Sequence, residues 1–269
     1  MGLSLLLSVY RQDKPDYLNQ ALFSVWDEQR LKPDQIVLVK DGPLTDSLDD
    51  VIGCWSARLG HALKVVALAE NIGLGLALNE GLKHCQGELI ARMDSDDVSL
   101  PERFEQQVEF MEMNPDIAAS SAILEEWDVD MTRCLGGRTL PTNPLAVERF
   151  AKRRSPLSHP LVIFRKTAVE TVGGYPNLRK AQDYGLWSIL LVNGYKLANL
   201  PTVLLKMRAG NEMFCRRGWQ YFKEEYHLLK FQKEIRFLSA SDYYINVMLK
   251  AVLRSSPNLI KSFAYRFAR

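Results

Sequence analysis

Three carboxylates crowd into four residues at Asp94-Ser95-Asp96-Asp97. At that spacing they repel one another, and the arrangement is costly unless a cation offsets it. Hard divalent ions such as Mn²⁺ or Mg²⁺ take oxygen ligands, often one or two carboxylates together with substrate phosphates. The loop follows an apolar run, Glu88–Met93, that reads as a strand. Side chains alternate along a strand, so Asp94 and Asp96 are expected to face the same way and share one ligand. The alternative is an acidic loop in which Asp97 or Ser99 merely caps the next helix.

Placing such a loop requires a rigid frame, and the first hundred residues supply one. Leu3–Val9, Gln35–Val39, Leu63–Leu68 and Glu88–Met93 read as short buried strands. Between them Pro15–Arg30, Leu48–Leu59 and Leu74–His84 carry apolar residues at helical spacing. Strands alternating with helices of this length predict βαβ units, a parallel sheet and an α/β fold. Ligands of open α/β sheets bind outside the carboxyl ends of the strands. Four such ends are polar here: Ser8-Val9-Tyr10-Arg11, Lys40-Asp41-Gly42, Glu70-Asn71-Ile72-Gly73 and the acidic loop, all expected on one face.

Beyond Met93, Ser99 and Glu102 form a capping-box pattern, with Pro101 in the first turn of a helix expected to reach Met113. Strands are expected at Ile117–Leu124, near Cys134 and at Leu161–Phe164, with helices near Leu145–Lys152 and from Ala181 to Asn193. From Glu212 onward the pattern is helical. Trp219, Phe222, Tyr226, Leu229 and Lys230 are expected on one face, followed by aromatic-basic helices at Tyr243–Leu253 and Pro257–Phe267.

The chain has 269 residues, 47% hydrophobic and 25% charged, which excludes disordered and collagen-like classes. Its net charge is +2, but residues 213–269 carry +7 and residues 1–212 carry −5. A basic amphipathic extension with aromatic residues suits either a lipid interface or a cap on the domain. Cys54, Cys85, Cys134 and Cys215 lack zinc-site spacing, which favours reduced thiols in a cytosolic compartment. Met1–Val9 lacks the marks of a signal peptide, and no apolar stretch reaches the roughly 20 residues that span a bilayer.

The runs Leu5–Tyr10, Val37–Pro43, Asn71–Asn79, Met93–Asp97 and Gln182–Tyr184, in order over residues 3 to 210, resemble family 2 glycosyltransferases. The likeness is to bacterial members that build O-antigen and exopolysaccharide. It implies a GT-A fold, a Rossmann-like, mixed and mostly parallel sheet flanked by helices. Residues 1–211 become the catalytic domain (1–97 nucleotide-binding half, 98–211 acceptor half), with 212–269 as the helical extension. It further implies that Ser8, Val9, Tyr10 and Asp41 hold the nucleoside of a UDP-sugar, with Asn71 and Gly73 beside it. Asp94 contacts ribose or donor sugar, and Asp96 binds Mn²⁺ or Mg²⁺. Asp183 matches the general base of an inverting transfer; its alternative is a helix cap. Members often carry an acidic pair where this chain has Lys40-Asp41, and Glu-Asp where it has Gln182-Asp183.

Asp97, Glu102, His159 and Arg208 are further candidates, Arg208 as a planar fork for the diphosphate. Gly173-Gly174-Tyr175 resembles an acceptor-side turn. The implied partners are a UDP-sugar and a lipid-diphosphate-linked saccharide (GlcNAc-PP-undecaprenol type), with no nucleic acid. The implied location is cytoplasmic, peripheral on the inner membrane's cytoplasmic face through the C-terminal helices. Two rival functions are a metal-dependent nucleotidyltransferase and a non-enzymatic membrane-surface module. The first is disfavoured because the loop after the first strand has no glycine, and the second leaves four polar strand ends without purpose.

Overall fold

The computed structural model describes residues 2–209 and 219–255. Strands β1 (Leu3–Val9), β2 (Gln35–Lys40), β3 (Leu63–Ala67) and β4 (Leu89–Met93) pair in parallel in the order β3-β2-β1-β4. Helices α1 (Pro15–Trp26), α2 (Asp46–Leu59) and α3 (Leu74–Leu82) connect them. Since β2 lies on one side of β1 and β4 on the other, the strand order reverses at β1. A crevice opens at such a switch point, outside the strand ends.

Beyond β4 the sheet becomes mixed. Its remaining strands are β5 (Val98–Ser99), β6 (Ile117–Trp127), β7 (Cys134–Arg138), β8 (Ile163–Arg165) and β9 (Lys196–Arg208). The order continues β4-β8-β6-β9-β5, with β7 on the far part of β6. The β4–β8, β8–β6, β9–β5 and β6–β7 pairs are antiparallel, whereas β6–β9 is parallel. Helices α4 (Arg103–Met113), α5 (Pro144–Ala151), α6 (Lys166–Thr171) and α7 (Gln182–Val192) complete the core.

The central strands are apolar throughout because both faces are covered. Leu5, Leu7, Ala91 and Met93 point into the layer of α1, α2 and α4, while Leu6 and Ile90 point into that of α3 and α7. One expectation here needed correction, and two elements had no counterpart in the sequence reading. Ser99 caps nothing: its N–H donates to Ser24 Oγ at 3.0 Å within β5, and α4 starts at Arg103 with no side-chain cap. The thirteen-residue β9 and the short α6 were not foreseen. The β9 sequence hides its period, because register slips between Asn199 and Val203, around Pro201, a residue that strands tolerate only at such irregularities.

The tail begins as a cap. Helices α8 (Trp219–Glu234) and α9 (Ala240–Ser255) bury Leu229, Phe237, Leu238 and Tyr243 against Ala151 at the end of α5. Gln232 donates to Ser188 of α7 at 2.8 Å, and Asn246 donates to the Lys152 carbonyl at 2.8 Å. Leu229 and Lys230 do not share a face, since Leu229 is buried and Lys230 is exposed. The side chain of Trp219 and the expected helix at Pro257–Phe267 lie outside the described residues. No described helix is long and apolar enough to cross a membrane.

Candidate active site

A cleft of about 440 Å³ opens at the switch point. Eight residues expected on one face line it together: Ser8, Tyr10, Asp41, Asn71, Gly73, Asp94, Ser95 and Asp96. Asp13 and Leu74 complete the wall. Val9 does not line it: its side chain is fully buried, and its carbonyl accepts the Asp41 N–H at 2.8 Å.

Asp41 builds one wall. Its carboxylate accepts the backbone N–H groups of Ile72 at 2.8 Å and Gly73 at 3.1 Å, just ahead of α3. Asn71 closes the link by donating to the Asp41 carbonyl at 3.2 Å. The two strand-end loops come so close that a Cβ on Gly42 would lie 2.6 Å from the Asn71 nitrogen, and Gly42 has φ +84°. Only glycine fits there without strain. Lys40 turns away and pairs with Asp49 at 2.5 Å.

The acidic loop forms the opposite wall. Asp94, Asp96 and Asp97 each bring one carboxylate oxygen within 4.8 Å of the others. Asp97 Oδ1 accepts the Arg208 N–H at 2.9 Å, whereas Oδ2 is buried with no hydrogen-bond partner among the described residues. Burial pushes the Asp97 carboxyl well up, and the like charges of Asp94 and Asp96 add to this. Asp96, whose outer edge meets solvent, is pushed up to about 6 by desolvation first and then by Asp94 and Asp13. A hard dication suits this all-oxygen donor set with its orphaned carboxylate oxygen.

Sequence reasoning missed Asp13. It reaches across from the loop before α1, and its Oδ2 accepts Tyr10 N–H at 3.0 Å and Ser95 O–H at 2.9 Å. Burial lifts its carboxyl to about 6. The available signal was Ser95, a hydroxyl between aspartates with no assigned partner. Arg208, expected to grip phosphate, is already engaged. Its Nε donates to the Asp96 carbonyl at 3.0 Å, its Nη2 to Gln20 at 2.7 Å and its Nη1 to the Val129 carbonyl, and it stacks 3.9 Å from the Tyr17 ring. It clamps the acidic loop from behind.

Asp183 lies in the first turn of α7. That turn seats on α3, where a Cβ on Gly75 would come 3.0 Å from Gln182 Cγ. Gln182 is therefore a packing residue. Ala181, just before it, is left-handed at φ +57°, an uncommon conformation for a residue with a side chain. Burial raises the Asp183 carboxyl above its ordinary range, while the helix N–H groups, Arg92 and Arg138 oppose the rise. Asp183 is not among the residues lining the nucleotide-sized cleft.

His159 and Glu102 do not join it either. His159 Nε2 sits 3.1 Å from Tyr175 Oη, edge-on to Trp187, and burial holds the ring neutral. Tyr175 is clamped by Asn79, which exchanges two 2.8 Å bonds with its backbone. His159 therefore props Tyr175. Glu102 pairs with Arg30 at 2.7 Å on the surface.

An open sheet with polar strand ends, an acidic loop and a nucleotide-sized cleft fits the GT-A fold of a nucleotide-sugar enzyme. The match to the Glycosyl transferase family 2 model over residues 4–169 then fixes the family, to which this chain belongs. It is 39% identical to the amylovoran biosynthesis glycosyltransferase AmsE of Erwinia amylovora, over 97% of both chains. It is 33% identical to the Escherichia coli UDP-Gal:alpha-D-GlcNAc-diphosphoundecaprenol beta-1,3-galactosyltransferase, over 98% of this chain and 94% of that one. In fold it resembles the mannosyltransferase PcManGT of Pyrobaculum calidifontis, solved with GDP-Man and Mn²⁺, at TM-score 0.66 and 19% identity, over 95% of this chain and 70% of that one. Family membership decides against the nucleotidyltransferase and non-enzymatic readings.

Proposed function

We propose that the protein transfers a hexose, glucose or galactose, from a UDP-sugar to a lipid-diphosphate-linked saccharide with inversion at the anomeric carbon. The observation that carries this is the convergence, in one cleft, of the Asp41-anchored turn and the aspartates at 94 and 96, with a carboxylate oxygen of buried Asp97 within 4.8 Å of theirs. Ser8, Tyr10, Asp41, Asn71 and Gly73 hold the nucleoside, and Asp94 reaches ribose or donor sugar. Asp96 and Asp97 would hold Mn²⁺ or Mg²⁺, which when bound supplies Lewis-acid stabilisation of the departing diphosphate. Asp183 takes the proton of the acceptor hydroxyl. The freed oxygen attacks the anomeric carbon as the bond from that carbon to the phosphate oxygen breaks, and UDP leaves with the electron pair.

The acceptor class draws support from the diphosphoundecaprenol acceptor named for the Escherichia coli relative. It is also supported by α9, where Tyr244, Ile245, Met248, Leu249 and Val252 form an exposed apolar stripe on a tail of net charge +7. Such a stripe suits shallow insertion at the anionic cytoplasmic face of the inner membrane. The test is a screen of UDP-glucose and UDP-galactose against a synthetic GlcNAc-diphosphate-lipid with Mn²⁺. One UDP-sugar should give a disaccharide product with the inverted linkage. No product from either, or retention of configuration, overturns the proposal.

A further inference from the structure

The turn that follows α5 carries three cations in succession, Lys152, Arg153 and Arg154. Two of them fasten the tail. Lys152 Nζ donates to the Phe237 carbonyl at 2.6 Å, and Arg153 pairs with Asp242 at 2.9 Å and reaches Asn246 at 3.2 Å. Asn246 is buried on the side of α9 opposite the exposed stripe of Met248, Leu249 and Val252. The same turn also meets the start of α7. Tyr184, the neighbour of Asp183, donates its phenol O–H to the Ala151 carbonyl, and Arg138 at the end of β7 donates Nη2 to the Ser155 carbonyl at 3.0 Å. Ala151 and Ser155 flank the three cations, so these two bonds seat Arg138, Arg154 and the first turn of α7 around one short segment. Arg138 Nε is buried with no hydrogen-bond partner, and Arg138 forms no ion pair among the described residues. A guanidinium stays charged when desolvated, so an unmatched one is costly unless an anion arrives.

We propose that Arg138 and Arg154 form the seat of the acceptor's diphosphate, between the tail helix α9 and the base Asp183. The inference rests on the acceptor class and the role of Asp183 given above. A diphosphate joined to a sugar at one end and a lipid at the other bears two negative charges. Two guanidiniums match that charge, and their planar forks suit phosphate oxygens. The order of parts fits as well. Lipid, diphosphate and sugar follow one another in the acceptor, as α9, the basic turn and the first turn of α7 do in the protein. Lys152 and Arg153 are engaged with the tail and leave the seat to the other two. Burial first, and Arg154 next, push the Arg138 guanidinium down from its ordinary range, with Asp183 and Glu126 opposing. A cation so poorly compensated gains from an arriving anion.

The test uses the full chain with Mn²⁺, a UDP-sugar and two soluble acceptors on the same short alkyl chain, a GlcNAc-diphosphate-lipid and the neutral GlcNAc glycoside. R138Q and R154Q should each raise KM for the diphosphate acceptor by roughly tenfold or more, the loss of one charge-assisted contact. The preference for that acceptor over the neutral one should fall by the same factor. R138K and R154K keep the charge and should recover part of each loss. An unchanged KM for the diphosphate acceptor in R154Q overturns the proposal. So does an equal loss on both acceptors, which marks a structural role, or a rise confined to donor KM, which assigns the cations to UDP. Lipid headgroups are another source of phosphate: variants that keep the acceptor preference but lose sedimentation with anionic vesicles also refute the assignment. If R138Q does not fold, R154Q, at an exposed position, decides alone. Native protein that makes no product from the diphosphate acceptor would instead bring down the functional reading, and this inference with it.

Discussion

Asp13→Asn isolates the electrostatic cost of the cleft. In the native protein a single oxygen, Oδ2, accepts both the Tyr10 N–H and the Ser95 O–H. An asparagine carbonyl can take the same two bonds, so the substitution removes charge while keeping geometry. The carboxyl is lifted from 3.8 to about 6 by burial, which means that the folded state binds its proton more tightly than the unfolded chain does. The penalty is therefore absent below the unfolded value and grows as pH rises through the folded one. At pH 7.5 that difference amounts to about 3 kcal/mol, and partial exposure with solvent screening halves it to about 1.5 kcal/mol. At pH 4.5 the same arithmetic leaves about 0.5 kcal/mol. D13N should thus be more stable than the native protein at pH 7.5, by roughly 3–6 °C in Tm, with most of the gain gone at pH 4.5. Saturating Mn²⁺ should shrink the gain, because a cation relieves the native cluster. Urea and thermal melts at the two pH values check this. An equal gain at both, or a loss at pH 7.5, would refute the reasoning that burial of charge strains this site.

Asp183→Asn should lower kcat by about a hundredfold or more while calorimetry shows unchanged UDP affinity; near-native turnover removes Asp183 from the chemistry. Chelation with EDTA should abolish transfer, and Mn²⁺ or Mg²⁺ should restore it; activity that survives exhaustive chelation removes the dication from the mechanism. Gly42→Ala forces a left-handed backbone and a 2.6 Å contact on the Asn71 nitrogen, so it should cost about 2 kcal/mol or more and weaken UDP binding; an unchanged urea midpoint counts against the two-loop wall. Met248→Ser with Leu249→Ser alters exposed positions, so melting should barely change. Sedimentation with anionic vesicles should nevertheless fall at least tenfold, since each lost apolar contact is worth about 1 kcal/mol. Unchanged sedimentation would assign α9 another purpose.

The parts of this fold that could be read in advance are those whose signal is local. A buried strand announces itself by a run such as Leu5-Leu6-Leu7, and the four polar strand ends follow from where those runs stop. The parallel half, β1 to β4, was legible for that reason. In the mixed half the strands at Ile117, Cys134 and Ile163 were legible too, but β9 and the pairings were not, because pairings join distant segments. β9 meets β6 over a register broken around Pro201, and no window of sequence reveals that partner. The capping-box pattern at Ser99 and Glu102 failed for the same reason: pairing of Val98–Ser99 with β9 outweighed a local preference worth about 1 kcal/mol.

The site divides along the same line. Asp41, Asn71, Gly73, Asp94 and Asp96 stand at strand ends or on the loops that follow, and their convergence follows from topology alone. Asp13, Arg92 and Arg208 matter through what they touch. Arg208 lies 112 residues from the carbonyl its Nε holds, and Asp13 lies 82 residues from Ser95. Arg92 was visible in the letters before Asp94, yet nothing in sequence separates a surface arginine from one that is 1% exposed. Burial is what changes its meaning. An exposed cation beside an aspartate contributes little, whereas a buried one with two unmatched N–H groups must find its counter-charge within reach. Asp94 supplies it by accepting the Nη2 N–H, so burial ties this arginine to the wall of the cleft.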